Sequence, residues 1–128
     1  MIRGLESILI GTPNAKKLAN FYSQKVGLKI GFEGVMGENE EFYELKFEKS
    51  GPNINVIDHS KVKGKNKEPE RIIFNLEVDN IKAETSRLKK AKVKLVQDTY
   101  HVEGYGYITT FADVDGNYFQ LVQVRAAK

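Results

Sequence analysis

The strongest constraint on this chain is that its sequence carries the same order of signals twice. A polar stretch at residues 61–68, broken by Gly64 and followed by Pro69, separates two halves. Each half reads as a strand, a helix and three further strands. In the first half, LESILIG is a strand with an apolar bias. Thr12 can cap a helix and Pro13 suits its first position, because the missing N–H would have no partner there anyway. Leu18, Phe21, Tyr22 and Val26 recur at helical spacing, and Gly27 supplies a left-handed stop. The strands LKIGFEGV, EFYELKFE and NINVIDH follow, the last two joined by a turn at Gly51-Pro52-Asn53. In the second half RIIFNLEV is the strand and Asp79 the cap, with Ile81, Thr85, Leu88 and Ala91 as the helical stripe. The strands KVKLVQ, YITTFADV and NYFQLVQV complete it, and Asp115-Gly116 is a hairpin turn signal. Thr12 and Asp79 set an offset of 79 − 12 = 67. Lys92 stands where a glycine would end the second helix more cheaply.

This pattern predicts an α+β fold made of one module over residues 1–60, a linker over 61–68 and a second module over 69–128, together forming one structural domain. Composition removes several function classes. The absence of cysteine excludes thiol nucleophiles, thiolate metal sites and disulfides. No run approaches the ~18–20 apolar residues of a membrane helix, so no membrane partner is expected and a cytoplasmic location is. The net charge of +3 is small, and its densest source is Lys61, Lys63, Lys65 and Lys67. No aromatic residue is interleaved there to stack on bases. That stretch therefore reads as a solvated linker, and no nucleic-acid partner is expected.

Alternation assigns faces. Phe74, Leu76 and Val78 point one way, toward a helix, and Ile73, Asn75 and Glu77 the other. Phe119 and Leu121 likewise oppose Tyr118, Gln120 and Val122. In the first half Tyr43, Leu45 and Phe47 are expected in the core, which leaves Lys46 on the opposite face. A curved sheet with such a mixed face forms a cleft, a common place for a small ligand.

Three segments, ANFYSQKVGLK, LEVDNIKAE and FADVDGNYFQLVQ, make nearly the whole chain resemble the vicinal-oxygen-chelate superfamily. That superfamily includes glyoxalase I, the bleomycin-resistance proteins, fosfomycin-resistance enzymes and extradiol dioxygenases. Val114 departs from the proline usual between the two aspartates. The resemblance implies two tandem βαβββ modules forming a half-open curved sheet or barrel, with helices on the convex face, and a homodimer. It also implies a divalent metal held by up to four His, Gln or Glu side chains, one each from the first and fourth strands of each module. Carried onto this chain, those positions are Glu6, Asn55, Ile73 and Gln120. Glu6 is a competent ligand, Gln120 a neutral and weak one, Asn55 short, and Ile73 none at all. The family metal is therefore not expected, and no other cofactor is predicted.

The expected ligand-binding set is Glu6, Ile8, Lys46, Asn55, Ile73, Asn75, Tyr105, Tyr118 and Gln120. Glu6 is the sole catalytic candidate, either a general base or a carboxylate paired with Lys46. The stretch HVEGYGY, with Tyr105 and Tyr107 between and beyond two glycines, reads as a loop able to cover a planar ligand. A rim metal site built from His59, His101 and Glu103 is a further arrangement these residues allow. Three functions follow in order: a metal-free protein binding a small aromatic or antibiotic-like molecule; a lyase-, isomerase-, transferase- or dioxygenase-like enzyme with an atypical divalent metal site; and an interaction module using the basic linker.

Overall fold

The computed structural model of the chain describes residues 1–124. The last four positions of the second predicted module lie outside the described residues. The chain divides into two units after Gly64, within the 61–68 stretch. The first unit contains β1 (Ser7–Thr12), α1 (Ala15–Asn20), β2 (Lys29–Met36), β3 (Glu40–Lys46) and β4 (Asn53–Asp58). The second contains β5 (Phe74–Glu77), α2 (Ile81–Lys90), β6 (Lys94–Val102), β7 (Gly106–Ala112) and β8 (Tyr118–Val124). Each unit carries one four-stranded sheet, ordered β1-β4-β3-β2 and β5-β8-β7-β6. In both, the first strand runs parallel to the fourth and the remaining pairs are antiparallel. The two modules thus share a βαβββ topology, and neither sheet closes on itself.

The helices begin where asparagine can cap them. Asn14 Oδ1 accepts from the Lys17 N–H at 3.1 Å, and Asn80 Oδ1 from the Ala83 N–H at 3.1 Å. The expected caps, Thr12 and Asp79, are displaced by these residues. Thr12 instead accepts from the Asn14 N–H with its hydroxyl. A second anchor repeats in both modules at the end of the fourth strand. Asp58 Oδ1 accepts from the Ala15 N–H at 2.7 Å, and Gln123 Oε1 from the Ile81 N–H at 2.8 Å. Each bond satisfies a donor that the first helical turn would otherwise leave open.

The α1 helix runs on into a wider π-type turn over Phe21–Val26, which ends at Gly27 with φ 100° as its residue type predicts. The second helix ends less comfortably: Lys92 takes φ 64°, the one described non-glycine residue with positive φ. Leu18 and Tyr22 pack on the buried side of the first sheet, with Leu45, Ile54 and Val56. Ile81 and Leu88 do the same for the second, with Phe111, Phe119 and Leu121. Full burial of each such side chain contributes about 1.5–3 kcal/mol.

Two strand boundaries differ from expectation. β5 is only four residues long, beginning at Phe74 rather than Arg71. β6 runs on to Val102, so the supposed covering loop is mostly hairpin. His101 pairs with Tyr107 across β6 and β7, their rings 4.9 Å apart, and the turn is confined to Glu103–Tyr105. Gly106 cannot be replaced without disruption, because a Cβ there would collide with the Gln123 carbonyl oxygen.

Candidate functional site

Residues paired across strands share a sheet face, so the registers sort each module into a helix-covered face and an open one. In the first module Tyr43, Leu45, Ile54 and Val56 are buried and define the covered face. One row of the open face runs Leu9, Asn55, Glu44, Phe32 across β1, β4, β3 and β2. The adjoining row contains Ile57, Phe42 and Gly34. Leu9, Phe32 and Met36 on this face are 59%, 57% and 49% exposed. The Phe32 and Phe42 rings lie 6.2 Å apart and tilted by 59°. Exposed apolar area grouped on one face is a feature of binding surfaces.

Asn55 Oδ1 is inaccessible to solvent and has no hydrogen-bond partner. Such an atom costs about 1–3 kcal/mol if nothing satisfies it. Its cross-strand neighbour Glu44 cannot help, because a carboxylate has no proton to give. Glu44 instead receives a bond from Asn53 Nδ2 at 3.3 Å and lies 3.8 Å from Lys46 Nζ.

The second module repeats the geometry with a different outcome. Its row runs Asn75, Gln120, Thr110, Gln97. Leu9 and Asn75 are equivalent by their pairing, an offset of 75 − 9 = 66. Glu44 and Thr110 share that offset (110 − 44 = 66), and Asn55 answers to Gln120. Here the neighbour is a hydroxyl, and Gln120 Nε2 donates to Thr110 Oγ1 at 3.0 Å. Tyr118 stands on the same face, opposite Ala112.

Several expected site residues move. Ile8 pairs with Ile54 on the covered face, so Leu9, not Ile8, shares the side of Asn55. The alternation in β1 is thereby one residue out of step with the symmetry inferred from sequence. Glu6 precedes β1, is exposed, and accepts from the Ser7 hydroxyl at 2.7 Å. Lys46 approaches Glu44 rather than Glu6. Ile73 is half-buried just before β5, Asn75 is exposed, and Tyr105 occupies the hairpin turn. Glu44, Leu9, Phe32 and Phe42 were not anticipated as site residues, although the alternation of EFYELK already places Glu44 beside Lys46 in parity.

Two hollows lie away from this row. One of about 490 Å³ in the first unit is lined by Pro13, Glu40, Asp58, His59 and Lys63, among others. One of about 560 Å³ in the second is lined by His101, Glu103, Tyr107 and Gln123, among others. His59 Nδ1 accepts from the Lys61 N–H at 3.2 Å. Among the described residues, no three His, Cys, Asp or Glu side chains group as metal ligands.

By the 66-residue offset the first-strand counterpart of Ile73 is Ser7 (73 − 66 = 7), so the positions that correspond to metal ligands present a hydroxyl, two primary amides and a hydrocarbon, with the Glu6 carboxylate outside the strand. Gln120 donates its Nε2 to Thr110, and Asn55 is flanked by Leu9 and Glu44. That donor set does not fit a divalent transition metal, which takes imidazole, thiolate or carboxylate ligands. No helix of the described chain is long and apolar enough to cross a membrane.

Comparison with known proteins places this geometry. The YetH protein of Bacillus subtilis is 23% identical over 121 residues, covering 94% of this chain and 98% of its own. A glyoxylase/bleomycin resistance protein/dioxygenase domain from Frankia superposes with a TM-score of 0.78 at 17% identity, covering 98% of this chain and all of that one. TnmS3, an antibiotic binding protein from a Streptomyces species, gives 0.73 at 18% identity, with 98% and 100% covered. The model of the Glyoxalase/Bleomycin resistance protein/Dioxygenase superfamily matches residues 4–121. By that match, the chain belongs to the glyoxalase/bleomycin resistance protein/dioxygenase superfamily.

Proposed function

We propose that this protein binds a small aromatic or antibiotic-like molecule on the open face around Asn55, without a divalent metal. The observation that carries the reading is the unpartnered Asn55 Oδ1, set among exposed apolar side chains. A buried acceptor without a donor is an unusual cost for a folded protein, and a ligand N–H or O–H that displaces the groups covering it would remove that cost. Leu9, Phe32, Phe42 and Met36 supply the apolar contact area that small-molecule sites normally offer. The mismatch between the donor set and a hard cation argues for binding rather than Lewis-acid chemistry at these positions. That a protein of the same fold is an antibiotic binding protein is consistent with this use of the scaffold. A homodimer and a cytoplasmic location belong to the same proposal.

The test is a thermal-shift screen of antibiotics and planar aromatic compounds, run with and without a chelator. Stabilisation that persists in chelator and disappears in Asn55→Leu is the expected result. Stabilisation only when a divalent metal is added overturns the reading in favour of an enzyme with an atypical metal site.

A further inference from the structure

The open faces of the two modules differ at one pair of equivalent positions, and that difference selects ligand chemistry. At Thr110 the second module has a hydroxyl that pairs with its neighbouring amide. At Glu44 the first module has a carboxylate whose side chain is 25% exposed, next to an amide oxygen with no donor. We propose that Glu44 and Asn55 together select a ligand bearing a cationic nitrogen donor, such as an amidine, guanidine or amine, on a flat apolar body. This rests on the binding reading above and names the class of ligand for it.

Once Lys46 and the groups covering Asn55 Oδ1 move aside, the row sets two acceptors side by side, which suits a group carrying two or more N–H donors on one positive centre. An anionic ligand would meet the Glu44 carboxylate and could not satisfy Asn55 Oδ1. Phe32 and Leu9 bound the row, and Phe42 and Ile57 fill the next one, so a planar body attached to the donor would lie on hydrocarbon.

An internal cation already leans toward this position. Lys46 Nζ is 3.8 Å from Glu44 Oε1, too long for a strong hydrogen bond, and Lys46 is paired across the sheet with a like charge, Lys29. Gly31 gives Lys46 room to do so, because a Cβ there would lie 2.6 Å from its Cδ and Cε. Lys46 is thus a weak, exposed competitor that an arriving cation would displace.

The experiment compares benzamidine, benzamide and benzoate, which share a ring and differ in charge, by amide-resolved NMR titration of the full chain. Benzamidine should shift the Asn55 side-chain amide and the Leu9, Phe32 and Phe42 signals in a saturable way, about tenfold tighter than benzamide. Benzoate should leave them unmoved. In Glu44→Gln the preference for benzamidine over benzamide should collapse, and in Lys46→Met benzamidine should bind several-fold tighter. Fold integrity in each variant is read from the same spectra.

Equal binding of all three probes, or an unchanged preference in Glu44→Gln, overturns the charge selection and leaves small-molecule binding standing. No shift at this face with any probe overturns the inference, and the chelator-controlled screen then judges the binding reading separately.

Discussion

Replacing each of the two equivalent amides by leucine should change stability in opposite directions. Asn55 Oδ1 is buried and unpartnered, so the unliganded protein carries its desolvation cost, about 1–3 kcal/mol. Asn55→Leu removes that cost and adds apolar contact with Leu9 and Ile57. It should stabilise the free protein by about 1–2 kcal/mol. Gln120→Leu instead breaks the 3.0 Å bond to Thr110, whose side chain is buried, and should destabilise by about 1 kcal/mol. An unfolding entropy of about 2.1 cal/mol/K per residue over the 128-residue chain makes each kcal/mol worth about 4 °C in Tm. The assay is urea denaturation of the ligand-free protein, with thermal melts as a second readout. A stabilised Asn55→Leu that no longer responds to any compound would be a site trading stability for function. Loss of stability in both variants would overturn this expectation, because Asn55 would then have a partner or be hydrated.

Two further outcomes follow from the backbone and from titration. Lys92→Gly should stabilise the second module by about 0.5–1 kcal/mol, since φ 64° strains a side chain there; urea midpoints for this variant and Lys92→Val should move in opposite directions. The Tyr43 phenol, which donates to Glu41 Oε1 at 2.7 Å, is pushed up from its ordinary 10.0 to about 12 by that bond and by burial. A raised folded-state value means that its stabilising contribution is complete below pH 10 and is lost as pH rises toward about 12. Tyr43→Phe should show a smaller loss over that window when stability is followed by circular dichroism.

Much of this architecture is legible in the residue order because its signals are redundant. The repeat, the stop at Gly27 and the Asp115-Gly116 turn each rest on a specific backbone requirement, and Gly116 indeed has φ 80°. The faces of β5 and β8 follow from clean alternation. β1 is different. Its core Ile8-Leu9-Ile10 is apolar on both faces, so period two leaves no mark, and only pairing with β4 sets which residue accompanies Asn55. The caps differ from expectation because Thr12 and Asp79 lie close before Asn14 and Asn80, and all three residue types can cap. β6 hid its length behind polar residues and irregular pairing between Leu95 and Tyr100, which carry the strand past the point where alternation fades. Glu44 lies beside the family ligand positions and not at one of them, and only its pairing with Asn55 across β3 and β4 distinguishes it from the other strand carboxylates.

On this proposal the Asn55 face serves a ligand directly, and no divalent cation resides at the family positions. Elemental analysis of the chain purified without chelator or added metal, quantified per mole of protein, tests it most directly. Transition metal far below one equivalent, unchanged in Glu6→Gln and Gln120→Leu, is the expected result. One equivalent of a divalent metal that either substitution removes would contradict it.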